Sequence, residues 1–233
     1  MAGREASAAQ VPAKSLVFLA VPDPAVPALA TRLAGADAVL VHVSGALRLD
    51  ALRPAPRRGA FHPFQSFPAE RPPEHFRGAL IGVDASDDEL LDELSLLAAR
   101  IGGRPRRVTD AERPLYHASA VFASNYVVAL GHVAVGVLEA AGWTREEALD
   151  AVVPLLSGVA RNLQDLGLEG SLIGPIRRGD PATLERHLQA LANAGLDSEV
   201  ELYRKLGLAA LDLAQKSGLE PEKAGQIKKA LTG

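Results

Sequence analysis

The 233-residue sequence predicts an α/β layer followed by an all-helical half. Three observations carry that expectation. Between residues 15 and 108, short apolar runs rich in β-branched residues alternate with helical spacing, and proline or glycine separates them. From Asp110 onward no strand pattern returns. The stretch Ala118 to Leu138 contains no Asp, Glu, Lys or Arg, yet holds Ser119, Ser124, Asn125, Tyr126 and His132 among its apolar residues.

Residues 15–21 (SLVFLAV) form a continuous apolar run stopped by Pro22-Asp23-Pro24, the pattern of a strand buried on both faces. Helical spacing follows over 25–33 with Gly35 as a stop, and 37–43 (DAVLVHV) is a second buried-type strand ending in Ser44-Gly45. Strand, helix, strand in so short a span implies a βαβ unit with parallel pairing and a right-handed crossover. A short helix is expected over 46–52 and a short third strand over 59–61, running into HPFQSFP at 62–68. A proline-bearing loop over 69–78, a strand over 79–83, an amphipathic helix over 87–100 capped by Ser86, and a last strand over 104–108 follow.

In the helical half, a long helix spans about 112–142. A helix apolar on almost every side is expected to be buried on almost every side. Thr144-Arg145-Glu146-Glu147 is a capping box for a helix to about Leu166, with a kink expected near Pro154. A loop covers 167–179, Asp180 caps a helix opened by Pro181, Asp197 or Ser198 caps another, and Pro221 opens the last. The domain reading is a polar N-terminal tail over 1–14, an α/β domain over 15–109 and a helical domain over 110–233.

A net charge of -3 argues against nucleic acid as a partner, and Arg104, Arg106 and Arg107 read as a solvated strand end. Cysteine is absent, so neither a disulfide framework nor thiolate chemistry is available, which is compatible with the cytoplasm. The uncharged run is long enough to span a bilayer. Asn125 and His132 in its interior, and the lack of a Lys/Arg excess on one side, favour a buried helix of a protein that does not enter the membrane.

In open parallel sheets, ligands bind outside the carboxyl ends of the strands. Three such ends here carry unusual residues: Val21-Pro22-Asp23, Ser44-Gly45 after His42, and His62-Pro63. Turns need these residue types anyway, so their joint placement on one edge is the stronger signal. On the long helix, His117, Ser124 and Asn125 are two turns apart and share a face. His117 could exchange a proton near neutral pH and Asn125 could hydrogen-bond a reacting oxygen; equally, the three could tie neighbouring helices together. No metal is expected, because no pair among His42, His62, His75, His117, His132 and His187 stands at ligand spacing. G-x-S-x-G and P-loop patterns are also absent. Arg177 and Arg178, in the 167–179 loop, are candidates for meeting an anion.

The succession VPDPAV, HVSGAL, FHPFQSFP, YHASAVFASNYVVAL and LIGPIRRGD resembles a family of bacterial Rossmann-like oxidoreductases with a helical domain of unknown function. That family is related more distantly to the 6-phosphogluconate dehydrogenase, ketopantoate reductase and pyrroline-5-carboxylate reductase group. The resemblance covers about residues 15–230. It implies an incomplete Rossmann-like parallel sheet followed by a dimerising helical domain of the 6-phosphogluconate dehydrogenase C-terminal type. It further implies a cytoplasmic homodimer that binds NADP or NAD and transfers hydride to or from a small molecule in an interdomain cleft. Val21, Pro22, Asp23, Ser44 and Gly45 would then line the nicotinamide side, and His62, His117, Ser124 and Asn125 would face the substrate. Relatives in the wider group use a Lys and an Asn on the equivalent helix, where this chain has His117. Family members begin with a strand and G-x-G-x-x-G, a pattern found nowhere in these 233 residues. Dinucleotide affinity is therefore expected to be weak or absent without that segment, whether the sequence starts late or the element is lost. The alternative is a non-catalytic dimer that uses the same architecture to bind a ligand or partner.

Overall fold

The computed structural model describes residues 7–67 and 76–233. The proline-bearing loop expected over 69–78 falls largely outside the described residues, as do His75, Pro68 and the first six positions of the expected tail. The chain divides into two compact units, Met1–Tyr126 and Val127–Gly233.

The first unit is a five-stranded sheet in the order β1 (Ser15–Leu19), β2 (Ala38–His42), β3 (Arg58–Pro63), β4 (Leu80–Ala85) and β5 (Arg104–Arg107). The first three strands are parallel, as the βαβ reading requires. β4 runs antiparallel to β3, and β5 parallel to β4, so the sheet is mixed. The carboxyl ends of β1, β2 and β3 therefore share one edge, and those of β4 and β5 lie at the other. The expected short helix over 46–52 is only a 3-10 turn, Leu49–Leu52.

Period-two alternation sorts the strand residues onto two faces. Leu19 and Leu40 pack with Val26, Leu29, Ala30 and Leu33 of α1 (Val26–Leu33). Val41, Phe61, Ile81 and Val83 pack with Leu90, Leu94 and Ala98 of α2 (Asp88–Arg100) on the other face. The cap of α2 is Asp87, which accepts from the Leu90 N–H at 3.0 Å; Ser86, the expected cap, hydrogen-bonds Asp87 instead. β1 is not buried on both faces as expected, since Leu16 and Phe18 remain exposed on this edge strand. At the opposite edge, β5 consists of Arg104, Pro105, Arg106 and Arg107, all exposed, a composition that discourages pairing with another chain.

The long uncharged helix is two helices, α3 (Arg113–Ala123) and α4 (Asn125–Ala140), interrupted at Ser124 (φ -126°, ψ -74°). The Ser124 hydroxyl donates back to the Ala120 carbonyl at 2.7 Å, a local bond that competes with helix continuation. Burial on all sides is not found. Only Arg113 and Val135 are buried, whereas Leu115, Phe122 and Val128 are 80, 68 and 74% exposed. By length and composition alone, Arg113–Ala140 could cross a membrane.

In the second unit, Val135 of α4 packs with Ala148 and Val152 of α5 (Arg145–Ser171), whose capping box Thr144–Glu147 forms as expected. The helix breaks at Gly167 (φ 70°), next to the end expected at about Leu166, and Pro154 lies inside it. The expected 167–179 loop is replaced by the end of α5 and the single turn α6 (Pro175–Arg178), set between positive-φ Gly174 and Gly179. α7 (Pro181–Asn193) is capped by Asp180, and α8 (Asp197–Lys216) and α9 (Pro221–Thr232) complete the unit. Leu196, with no side-chain hydrogen bond, occupies the α8 cap where Asp197 or Ser198 was expected. Leu184, Leu211, Ala214, Ile227 and Leu231 form the core of these three helices.

The sheet–α2 contact yields a paired prediction. Leu94 is 0% and Leu96 53% exposed on one helix. Leu94→Ala should lower urea-unfolding stability by about 2–5 kcal/mol, and Leu96→Ala by less than about 0.5 kcal/mol. Equal effects would contradict the orientation of α2.

Candidate active site at the sheet edge

Two carboxyl-edge turns of the sheet are tied directly together. The Ser44 hydroxyl donates to Asp23 Oδ2 at 2.7 Å and accepts the Ala46 and Leu47 N–H groups at 3.1 and 3.0 Å. This links the turn after β1, which holds Val21, Pro22 and Asp23, to the turn after β2. Gly45 follows, and its lack of a side chain is required by what packs on it: a Cβ there would lie 2.8 Å from His117 Nδ1 and 2.9 Å from His62 Nε2.

His62 comes from β3 and His117 from α3, and their ring centroids are 6.4 Å apart. Their approach depends on how α3 enters the sheet face. His42, Ala60, His62, Gly82 and Asp84 share that face by register, and Ala60 and Gly82 are small. A Cβ on Gly82 would come within 2.8 Å of Tyr116 Oη, so glycine gives Tyr116 its place across β4. Tyr116 then contacts His62 Nδ1 at 2.9 Å and the His62 carbonyl at 3.2 Å.

Beneath these groups, Arg113 is fully buried at the start of α3. Its Nε lies 3.3 Å from Asp110 Oδ1 as an ion pair, and none of its three side-chain nitrogens has a hydrogen-bond partner among the described residues. Asp110 also accepts the Leu49 N–H at 3.0 Å and lies 3.7 Å from Arg48. Asp84, on the same face and nearly buried, is paired with Arg107 at 3.3 Å. His42 is 0% exposed, and neither ring nitrogen has a partner among the described residues.

Burial foremost, then the Arg113 charge, lowers the His42 pKa to about 4. Burial, then His117 and Arg113, lowers that of His62 to about 4. Both imidazoles are therefore neutral at physiological pH. Burial also raises the Tyr116 phenol to about 12, which keeps its hydroxyl proton in place. The edge thus presents neutral imidazoles, a protonated phenol and a buried guanidinium, a set suited to hydrogen-bonding and polarising a small polar molecule.

Asp23, Ser44, Gly45, His62 and His117 are thus brought together. Ser124 and Asn125 are not part of this cluster: Ser124 Oγ lies 2.9 Å from Asn125 Oδ1, and Asn125 is exposed. Arg177 donates to the Ser217 carbonyl at 3.1 Å. The sequence reading missed Arg113, Asp110 and Tyr116, whose only signal was their position beside His117. Among the described residues, no three His, Cys, Asp or Glu side chains gather as metal ligands would.

Residues 79–210 match the family model described as "Domain of unknown function (DUF2520)". No curated protein matches the chain significantly. Among solved structures, protein TM1727 from Thermotoga maritima is similar at 29% identity and TM-score 0.75, over 88% of this chain and 79% of that one. BF3122 from Bacteroides fragilis, described as a candidate NADP oxidoreductase, is similar at 24% identity and TM-score 0.68, over 90% of this chain and 79% of that one. The expected kinship with Rossmann-like oxidoreductases therefore holds at the level of fold.

His42 supplies a pH prediction. Its pKa is about 4 in the folded chain against 6.5 for an ordinary imidazole, so the unfolded chain binds the extra proton between these values. Stability should fall as pH drops from 6.5 to 4, by about 3 kcal/mol from this residue. Urea midpoints that stay flat across this window would contradict the buried neutral state.

Proposed function

The chain belongs to the DUF2520 family, and on that premise we propose that it is an NAD(P)-dependent oxidoreductase acting on a small molecule at the carboxyl edge of its sheet. One observation carries this reading: His62 and His117 converge on the side-chain-free backbone of Gly45, where parallel sheets hold their ligands. The residues fit the nicotinamide side of such a cofactor. Ser44 and Asp23 close the turn, Gly45 allows close backbone approach, and His117 Nδ1 is buried without a partner among the described residues. A bound nicotinamide dinucleotide would supply or take up the hydride. His62 orients the substrate's polar group and His117 exchanges the proton.

The exposed apolar side chains of α4 and α5, among them Val128, Leu149, Val153, Leu155 and Leu163, support a homodimer through the helical half. A second reading is a non-catalytic dimer that uses the same architecture to bind a ligand or partner.

NADPH and NADH titrations, by fluorescence or calorimetry, separate the two readings. Weak binding is expected from the nicotinamide-side residues, and no binding at millimolar cofactor would remove hydride transfer. With a turned-over substrate, His117→Ala should reduce kcat by about 10²–10⁴-fold while circular dichroism stays unchanged. Asn125→Ala should abolish turnover if Asn125 faces the substrate, and leave it intact if Asn125 only partners Ser124.

A further inference from the structure

We propose that Tyr116 is a positioning residue that fixes His62 in its Nδ1–H tautomer, making His62 Nε2 a standing hydrogen-bond acceptor that selects ligands presenting a hydroxyl or amine proton. The assignment follows from a donor and acceptor inventory. A phenol has one hydrogen to donate and lone pairs with which to accept. Tyr116 Oη lies 3.2 Å from the His62 carbonyl, which can only accept, so the hydroxyl hydrogen goes there. The contact of 2.9 Å between Oη and His62 Nδ1 is then a hydrogen bond only if Nδ1 carries the proton. With the ring neutral, its second nitrogen is a bare lone pair.

That lone pair does not close on the protein. Among the described residues Nε2 has no hydrogen-bond partner, and it faces the same strip of Gly45 backbone as His117 Nδ1. An acceptor held this way pairs with O–H or N–H and repels the lone pairs of a bare carbonyl. The site therefore takes the alcohol or amine partner of a redox pair more tightly than the ketone or imine. This selectivity rests on the site reading of the preceding section and not on the redox chemistry assigned to it.

The test is the long-range ¹H–¹⁵N correlation spectrum of the ¹⁵N-labelled full chain near neutral pH, with His62 assigned by signal loss in His62→Gln. The expected result is a protonated-type shift at Nδ1 and an unprotonated-type shift at Nε2, with the Nε2–H form appearing in Tyr116→Phe. An Nε2–H ring in the wild type, or a tautomer unmoved by Tyr116→Phe, would overturn the proposal. As probes, 2-propanol should move the Nε2 resonance at several-fold lower concentration than acetone; equal responses would overturn the selectivity. The predicted tautomer without NADPH binding would leave this proposal standing and remove the oxidoreductase reading.

Discussion

The ion pair between Arg113 and Asp110 is the constraint on which the sheet edge depends. A guanidinium taken wholly out of water costs several kcal/mol unless it is compensated, and removing one member of such a pair commonly costs about 3–5 kcal/mol. Asp84 and Asp110 provide that compensation, and Asp110 also holds the Leu49 N–H, so its carboxylate anchors the start of α3 to the chain that follows β2. Tyr116 and His117 lie one helical turn further along α3 and are placed by that anchor. The same buried cation helps hold His42 and His62 neutral. Structural and chemical consequences thus arise from one interaction.

Much of the sheet was legible in the sequence, for a physical reason. β1 and β2 are short β-branched runs cut off by Pro22 and by Ser44-Gly45, and such residues serve both the strand and its stop. The direction of β4 was not legible, because a connection of that length permits either pairing and no residue in the strand records its orientation. The break at Ser124 was equally hidden, since it uses neither proline nor glycine, only a hydroxyl that bonds back to Ala120.

The site was half legible. Turn residues at the carboxyl edge and His117 on the long helix could be named because strand ends and helical periodicity place them. Arg113 could not, since beside Glu112 and Pro114 it reads as a solvated helix start. Its burial depends on strands distant along the chain, which bring His42 and Asp84 near it. Ser124 and Asn125 illustrate the opposite case: on a continuous helix they would share a face with His117, two turns away, but the helix is interrupted at Ser124. In the second unit, α4 meets α5 through Val135, Ala148 and Val152, leaving other apolar side chains exposed.

The central claim is that burial and Arg113 hold two histidines neutral at this edge. Histidine ¹⁵N titration of the full chain tests it most directly, followed from pH 8 downward. The account predicts that His42 and His62 remain neutral until the pH approaches about 4, and that Arg113→Met shifts both midpoints upward. Midpoints near 6.5 for both rings in the wild type would contradict it.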